Sequence, residues 1–243
     1  MTTVNVPMTT ITIMITDLEE IAALMQLASP ALPIGGYSYS QALEAAIDSA
    51  LVSDAVSAQQ WIGDLFLGVF TRSEAPLWLM SHNAWSKHDF ALCAELNDYF
   101  LASRETSELR AETEQMGWSL LQLAQSLGWG DETIMQLTLL KPLSLMTAHS
   151  YACYHLGIQP HNGLAAYSFT WLENQVAATV KTIPLGQVAG QKILSALRTH
   201  LPLMVTEAQA QAQLGLAGLS NFSPQFAILS ARHETQYSRL FRS

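Results

Sequence analysis

The chain has 243 residues, of which 49% are apolar, and its 20 acidic and 11 basic side chains give a formal net charge of −9. That length suffices for one sizeable hydrophobic core. The acidic balance argues against a nucleic-acid partner, because phosphate binding needs a basic face. Charged residues make up 13% of the chain, about half the usual share. We therefore expect other subunits to cover part of the surface.

Residues 1–16 are rich in threonine and β-branched side chains and predict a flexible N-terminal arm. From Asp17 onward the signals are helical. Asp17 can cap a helix, and Glu20 completes a pattern that resembles a capping box. This first helix is expected to stop before Pro30, since the residue before a proline disfavours helical geometry.

The rest of the chain also has helical periodicity. Pro33 and Gly35–Gly36 predict a turn, and Ser38 or Ser40 can cap the helix that follows. Further helices are predicted at about 54–71, 74–87, 88–102, 105–127, 131–138, 142–157, 161–181, 185–215 with a break at Pro202, and 224 to the end. No strand-like alternation is sustained after position 17. Residues 17–243 are therefore predicted to form one all-α domain, a bundle of about ten helices.

Cysteine content and hydropathy favour a cytoplasmic protein. Cys93 and Cys153 are the only cysteines, too few for a disulfide framework or a paired redox motif. Residues 1–14 lack the basic start and the long apolar stretch of a secretory signal. Residues 142–172 carry no Asp, Glu, Lys or Arg, but their histidines and Pro160 make a membrane span unfavourable.

Motifs for nucleotide chemistry are missing. None of the four lysines stands in a Gly-Lys-Ser/Thr sequence, so no phosphate-binding P-loop is present.

Residues 36–40 (Gly-Tyr-Ser-Tyr-Ser) begin like the nucleophile motif of serine hydrolases but end in serine instead of glycine. A turn followed by a helix cap explains Ser38 better than a nucleophile does. A helical hydrolase using Ser38 or a histidine remains an alternative.

Metal and acid–base sites are weakly indicated. His149 and Cys153 are four residues apart and share a helix face, but no clear third ligand accompanies them. We therefore predict no metal site, no cofactor and no catalytic residue. The acidic residues of the predicted helix 105–127 are interpreted as a solvated surface; they are Glu105, Glu108, Glu112 and Glu114.

The C-terminal segment, residues 231–243, carries three arginines on an otherwise acidic protein. If the last helix continues to the end, Arg232, Gln236 and Arg239 share one face. Tyr237, Leu240 and Phe241 then supply aromatic and apolar anchors. Arginine and tyrosine are enriched at interface hot spots, so this segment is predicted to dock on a partner protein.

Six ordered blocks of residues resemble the urease accessory protein UreF family, from about residue 20 to residue 243. Ala42 departs from the family pattern, because it stands where glycine is common. The blocks are 27–44 (LASPALPIGGYSYSQALE), 74–76 (EAP), 108–117 with its ELRAE and MG, 171–176 (WLENQV), 184–191 (PLGQVAGQ) and 232–243 (RHETQYSRLFRS).

The resemblance implies a non-catalytic, all-helical, dimeric protein that binds the accessory protein UreD (also called UreH). That complex would recruit the GTPase UreG and deliver nickel to apo-urease. It further implies that Tyr37 and Arg239 help to assemble the complex that recruits UreG. Neighbours of Arg239 are expected to become ordered, in a helix, when UreD binds; these are Tyr237, Leu240, Phe241 and Arg242. Gln187, Gly190 and Gln191 match a family motif with no assigned role.

Two alternatives remain open for the arginines and the metal. Arg239 or Arg242 could act as an arginine finger that stimulates GTP hydrolysis by UreG. Nickel could also touch polar interior groups of this chain in passing, without a closed binding site.

Overall fold

The computed structural model describes the backbone of residues 8–130 and 132–243, and the side chains from residue 18 onward with the same gap. Within those residues the chain forms twelve α-helices and no β-strand, which confirms the predicted all-α fold. The helices are α1 (Met8–Leu27), α2 (Leu43–Asp48), α3 (Ala55–Gly68), α4 (Glu74–Ser86), α5 (Phe90–Ala102), α6 (Ser107–Ser126), α7 (Thr133–Leu139), α8 (Leu145–His155), α9 (Pro160–Thr182), α10 (Gln187–Leu197), α11 (Leu201–Gln213) and α12 (Pro224–His233). None of the helices in this described part is long and apolar enough to cross a membrane.

Local sequence explains where most helices begin. Asp54 accepts a hydrogen bond from the Ser57 amide at 2.8 Å, and the Ser57 hydroxyl accepts one from the Asp54 amide, so α3 starts with a capping box. Thr106 and Ser144 cap α6 and α8 through the amide three residues on. The break predicted at Pro202 is confirmed, because α10 and α11 are separate helices and Pro202 lies in the first turn of α11.

The centre of the molecule is the contact between α4 and α8. Trp78 and Trp85 of α4 and Tyr151 of α8 are fully buried, and Trp85 meets the ring of Tyr151 edge-on at 5.3 Å. α6 also packs against α8, and the 23-residue α9 contacts α1, α2, α3, α4, α8, α10 and α11. This arrangement brings the turn before α2, the start of α6 and the end of α12 together.

The structure corrects three local predictions. The first helix begins at Met8 instead of Asp17, and the predicted arm over residues 1–16 lies outside the residues whose side chains are described. The residue that caps α2 is Ala42, not Ser38 or Ser40 as predicted. Its φ of 65° lies in the left-handed region that favours glycine. Ser40 contributes only a 3.3 Å hydrogen bond from the Glu44 amide to its hydroxyl.

The third correction concerns the end of the last helix. α12 ends at His233 and does not reach the end of the chain. Arg232, Gln236 and Arg239 therefore do not share a helix face. Residues 234–243, named the tail segment below, are not helical and return to the body of the protein.

Candidate functional site

The tail segment lies against the turn that precedes α2. The Arg242 amide donates to the Ser38 carbonyl at 2.9 Å. The Ser40 amide and hydroxyl both donate to the Ser243 carbonyl, at 2.8 and 2.6 Å. Ser243 is buried as a result. The two regions that the sequence marks for partner binding, the turn and the C-terminal segment, are thus joined by backbone hydrogen bonds.

Glu44 of α2 holds the middle of the tail segment. Its Oε1 accepts a hydrogen bond from the Leu240 amide at 2.6 Å, and its Oε2 accepts one from the Phe241 amide at 3.0 Å. The same Oε2 lies 3.1 Å from Nε2 of His233. Glu44 is buried, and a buried carboxylate is tolerated when donors of this kind surround it.

Glu108 of α6 forms a second anchor. Its Oε2 lies 2.6 Å from Nδ1 of His233, and its Oε1 accepts a hydrogen bond from the Arg239 guanidinium. The His233 ring therefore stands between two carboxylates, and both contacts are hydrogen bonds when both ring nitrogens carry a proton. Glu44, His233, Glu108 and Arg239 form a continuous chain of contacts from α2 to the tail segment.

Glu112 of α6 is the third carboxylate at this site. It accepts hydrogen bonds from the Ser243 hydroxyl at 2.6 Å and from the Gln41 side-chain amide at 2.7 Å. Trp171 of α9 donates in turn to the Gln41 side-chain oxygen at 2.7 Å. Burial raises the pKa of Glu112 to about 7.

The interpretation of the α6 acidic residues as a solvated surface is therefore wrong for Glu108 and Glu112. Glu112 is 7% exposed, and the Glu108 side chain is 16% exposed. A sequence signal existed for Glu112, since it follows Leu109 by three residues and precedes Met116 by four. It thus falls on the apolar face of α6.

The predicted partner-binding residues differ in their exposure. Tyr37 is 66% exposed, Leu240 is 62% exposed and Tyr237 is fully exposed. Phe241, in contrast, is 5% exposed and joins the core of this chain. Its burial needs no partner protein, which corrects the expectation that a partner covers it.

Lys181 of α9 connects the turn with the tail segment. Its ammonium group donates to the Tyr37 carbonyl at 3.2 Å and lies 5.6 Å from the ring centres of both Tyr37 and Phe241. A cation at that distance from two aromatic faces contributes modestly to their relative position. Arg239 contacts Glu108 instead, so Tyr37 and Arg239 have different partners in the isolated chain.

The motif of Gln187, Gly190 and Gln191 lies where α10 meets α9. A Cβ atom on Gly190 would lie 2.7 Å from Cγ2 of Val180, so glycine allows the two helices to approach closely. Gln187 and Gln191 are exposed on the same helix. Their role stays unassigned.

His149 and Cys153 do share a face of α8, but they are deep in the core. The Trp78 indole donates to His149 Nδ1 at 3.2 Å, and Cys153 Sγ lies 3.6 Å from the same nitrogen. Burial lowers the pKa of His149 to about 3 and raises the pKa of Cys153. Among the described residues, no three His, Cys, Asp or Glu side chains are grouped to hold a metal ion. His149 and Glu112 both line an internal cavity of about 60 Å³, which has room for a few water molecules.

Comparison with known proteins places the sequence in a family. A model of the UreF family matches residues 52–198. A urease accessory protein UreF of Polynucleobacter asymbioticus is 70% identical over 227 residues, which cover 93% of this chain and 99% of that protein. This chain belongs to the UreF family. A UreF protein of Cupriavidus metallidurans is 56% identical over 229 residues, covering 94% of this chain and all of that relative.

One UreF relative has a different organisation. A bifunctional urease accessory protein UreEF of Bordetella bronchiseptica is 52% identical over 228 residues. Those residues are 93% of this chain but only 53% of the relative. In that protein, a UreF sequence is therefore fused to a second segment of comparable length.

Proposed function

We propose that this chain is a non-catalytic urease maturation factor that binds UreD/UreH and recruits the GTPase UreG for nickel delivery to apo-urease. The chain would act as a homodimer within that complex, in the cytoplasm. The names of its relatives support the connection with urease. The low share of charged residues supports a chain that is partly covered by other subunits.

The observation that carries the proposal is the joined turn and tail segment. The buried Glu44 carboxylate holds the backbone of the tail segment, and the side chains of Tyr37, Tyr237 and Leu240 are exposed, as are those of Arg239 and Arg242. Aromatic rings, an apolar side chain and guanidinium groups on a fixed backbone are the usual anchors of a protein–protein interface. A site of this composition is suited to a partner with an acidic rim around an apolar pocket.

Co-expression with UreD/UreH and UreG tests the proposal. The wild-type chain should co-purify with both proteins, and mass determination should give the stoichiometry. Tyr37→Ala and Arg239→Ala should lose UreG from the complex and lose urease activation. Both variants should still fold, because Tyr37 is exposed and Arg239 is on the surface.

Arg198→Ala is the matched control for Arg239→Ala. Arg198 is an exposed arginine that directly follows α10, so its removal changes the net charge equally, at a position outside the C-terminal segment. The control should bind both partners like the wild type. Normal recruitment of UreG by the Tyr37 and Arg239 variants would refute the assignment of these residues.

An arginine finger toward UreG is the second candidate, and the exposure of Arg242 on the tail segment favours it. Faster single-turnover GTP hydrolysis by UreG in the presence of the complex would support this candidate. The stimulation should then be lost in Arg242→Lys, since a lysine keeps the charge but cannot present the planar guanidinium. Equal hydrolysis rates with and without the complex would exclude it.

A further inference from the structure

One carboxylate controls the backbone of the tail segment. Glu44 accepts hydrogen bonds from two consecutive amides, those of Leu240 and Phe241, at 2.6 and 3.0 Å. A helix that continued past His233 would direct these two amides to carbonyls four residues earlier. The carboxylate replaces those carbonyls as the acceptor, and the two amides cannot then take part in a helix.

The position of Arg239 depends on the same carboxylate through His233. Glu44 contacts one nitrogen of the His233 ring, and Glu108 contacts the other nitrogen and also Arg239. The Arg239 guanidinium also donates to the His233 carbonyl at 3.4 Å. A change in the Glu44 contact therefore moves the group that orients Arg239.

We propose that Glu44 is a positioning residue for partner binding: its carboxylate fixes the backbone of the tail segment and, through His233, the direction of Arg239. This inference rests on the proposed function, because it concerns the same surface. Glu44 itself is buried, so the proposed effect on a partner is indirect. Its effect on assembly is transmitted by the backbone at residues 240 and 241 and by the His233 ring.

Glu44→Gln is the direct test, with Asp48→Asn as its matched control. The glutamine side chain has the same size as the glutamate it replaces, but its NH₂ group would face a donor at Phe241 and His233. Asp48 is an exposed carboxylate on the same helix α2, so its substitution removes the same charge without affecting the tail segment. Amide hydrogen exchange of the chain alone and partner binding are then measured for both variants.

We expect the Glu44→Gln variant to lose protection at the Leu240 and Phe241 amides by at least about tenfold, because two charge-assisted hydrogen bonds are weakened. Exchange in α8 should stay unchanged, which separates the local effect from global unfolding. Affinity for UreD/UreH and UreG should fall by about tenfold or more, since the unbound chain must first restore the tail conformation. The Asp48→Asn variant should match the wild type in all three measurements.

His233 variants provide a second test if Glu44→Gln fails to fold. The side-chain nitrogen of glutamine lies near the position of imidazole Nε2, and that of asparagine lies near Nδ1. His233→Gln should therefore keep the donor to Glu44, and His233→Asn should keep the donor to Glu108. We expect His233→Asn to lose more protection at residues 240 and 241 than His233→Gln does, a difference that a merely structural role for His233 would not produce.

The two arms of the experiment separate this inference from the proposed function. Failure of the wild-type chain to bind the urease partners would refute the proposed function, and with it the positioning role. Normal partner binding by the wild type together with unchanged protection in the Glu44→Gln variant would overturn the inference alone. So would lost protection at residues 240 and 241 with unchanged partner affinity.

Discussion

The stability of the tail site should depend on pH through Glu112. Burial raises the pKa of its carboxyl group from the ordinary value of 4.5 to about 7 in the folded chain. Between these two values, the folded state holds a proton that the unfolded state has released. Stability from this group is therefore present at acidic pH and lost as the pH rises toward and through 7.

The difference between the two pKa values corresponds to roughly 3 kcal/mol once both states are ionised. Glu112→Gln should remove this dependence, because its oxygen can accept from Gln41 and its NH₂ group can donate to the Ser243 hydroxyl. The free energy of unfolding of the wild type, relative to the variant, should thus fall by about 2–3 kcal/mol between pH 5 and pH 8.

Urea denaturation of both proteins at pH 5 and pH 8 measures this difference. The comparison cancels most other titrations, including that of His149, whose pKa is lowered to about 3 by burial and which destabilises the fold as the pH falls below 6.5. Glu114→Gln removes the same charge from a half-buried carboxylate of α6 that is paired with Arg110, and it is the control for the loss of one negative charge. An equal difference between wild type and Glu112→Gln at the two pH values would refute the reasoning.

Two further predictions concern the scaffold. Gly117→Ala should destabilise the protein by about 1–3 kcal/mol in urea denaturation, because the added Cβ would clash with the Leu143 carbonyl oxygen just before α8. An unchanged midpoint would contradict this close contact. Asp54→Ala should destabilise the protein by removing the capping box of α3, whereas Asp54→Asn should retain most of that stability, and thermal unfolding of the two variants distinguishes them by a lower Tm for Asp54→Ala.

Most helices could be predicted from sequence because the residues that start or end them are their neighbours in the chain. Asp54 and Thr106 cap the helices that follow them, and Pro202 lies in the first turn of α11, just after the break from α10. Gly128, with a φ of 67°, follows the end of α6, where the left-handed conformation of a glycine commonly ends a helix. Each of these signals acts on neighbours within a few residues, so no knowledge of the tertiary structure is required.

The tail site could be predicted only in part. The resemblance to the UreF family marks Tyr37 and Arg239, and the structure places the turn and the tail segment together. The sequence gives no sign of Glu44 and His233, whose partners are up to 197 residues away along the chain. No local pattern distinguishes a carboxylate that will meet two distant amides from one that will face water.

The same long-range contact explains why the prediction of a helix to the end of the chain fails. Residues 234–241 contain no proline or glycine, and their own propensities allow a helix. A helix there, however, would leave the buried Glu44 carboxylate with His233 as its only donor, and burying a poorly paired charge costs several kcal/mol. The observed conformation gives that carboxylate two more donors at the cost of about two turns of helix. Tertiary electrostatics therefore overrides local helix propensity at the segment that carries Arg239. The shape of the proposed interface depends on contacts between residues that are far apart in the sequence.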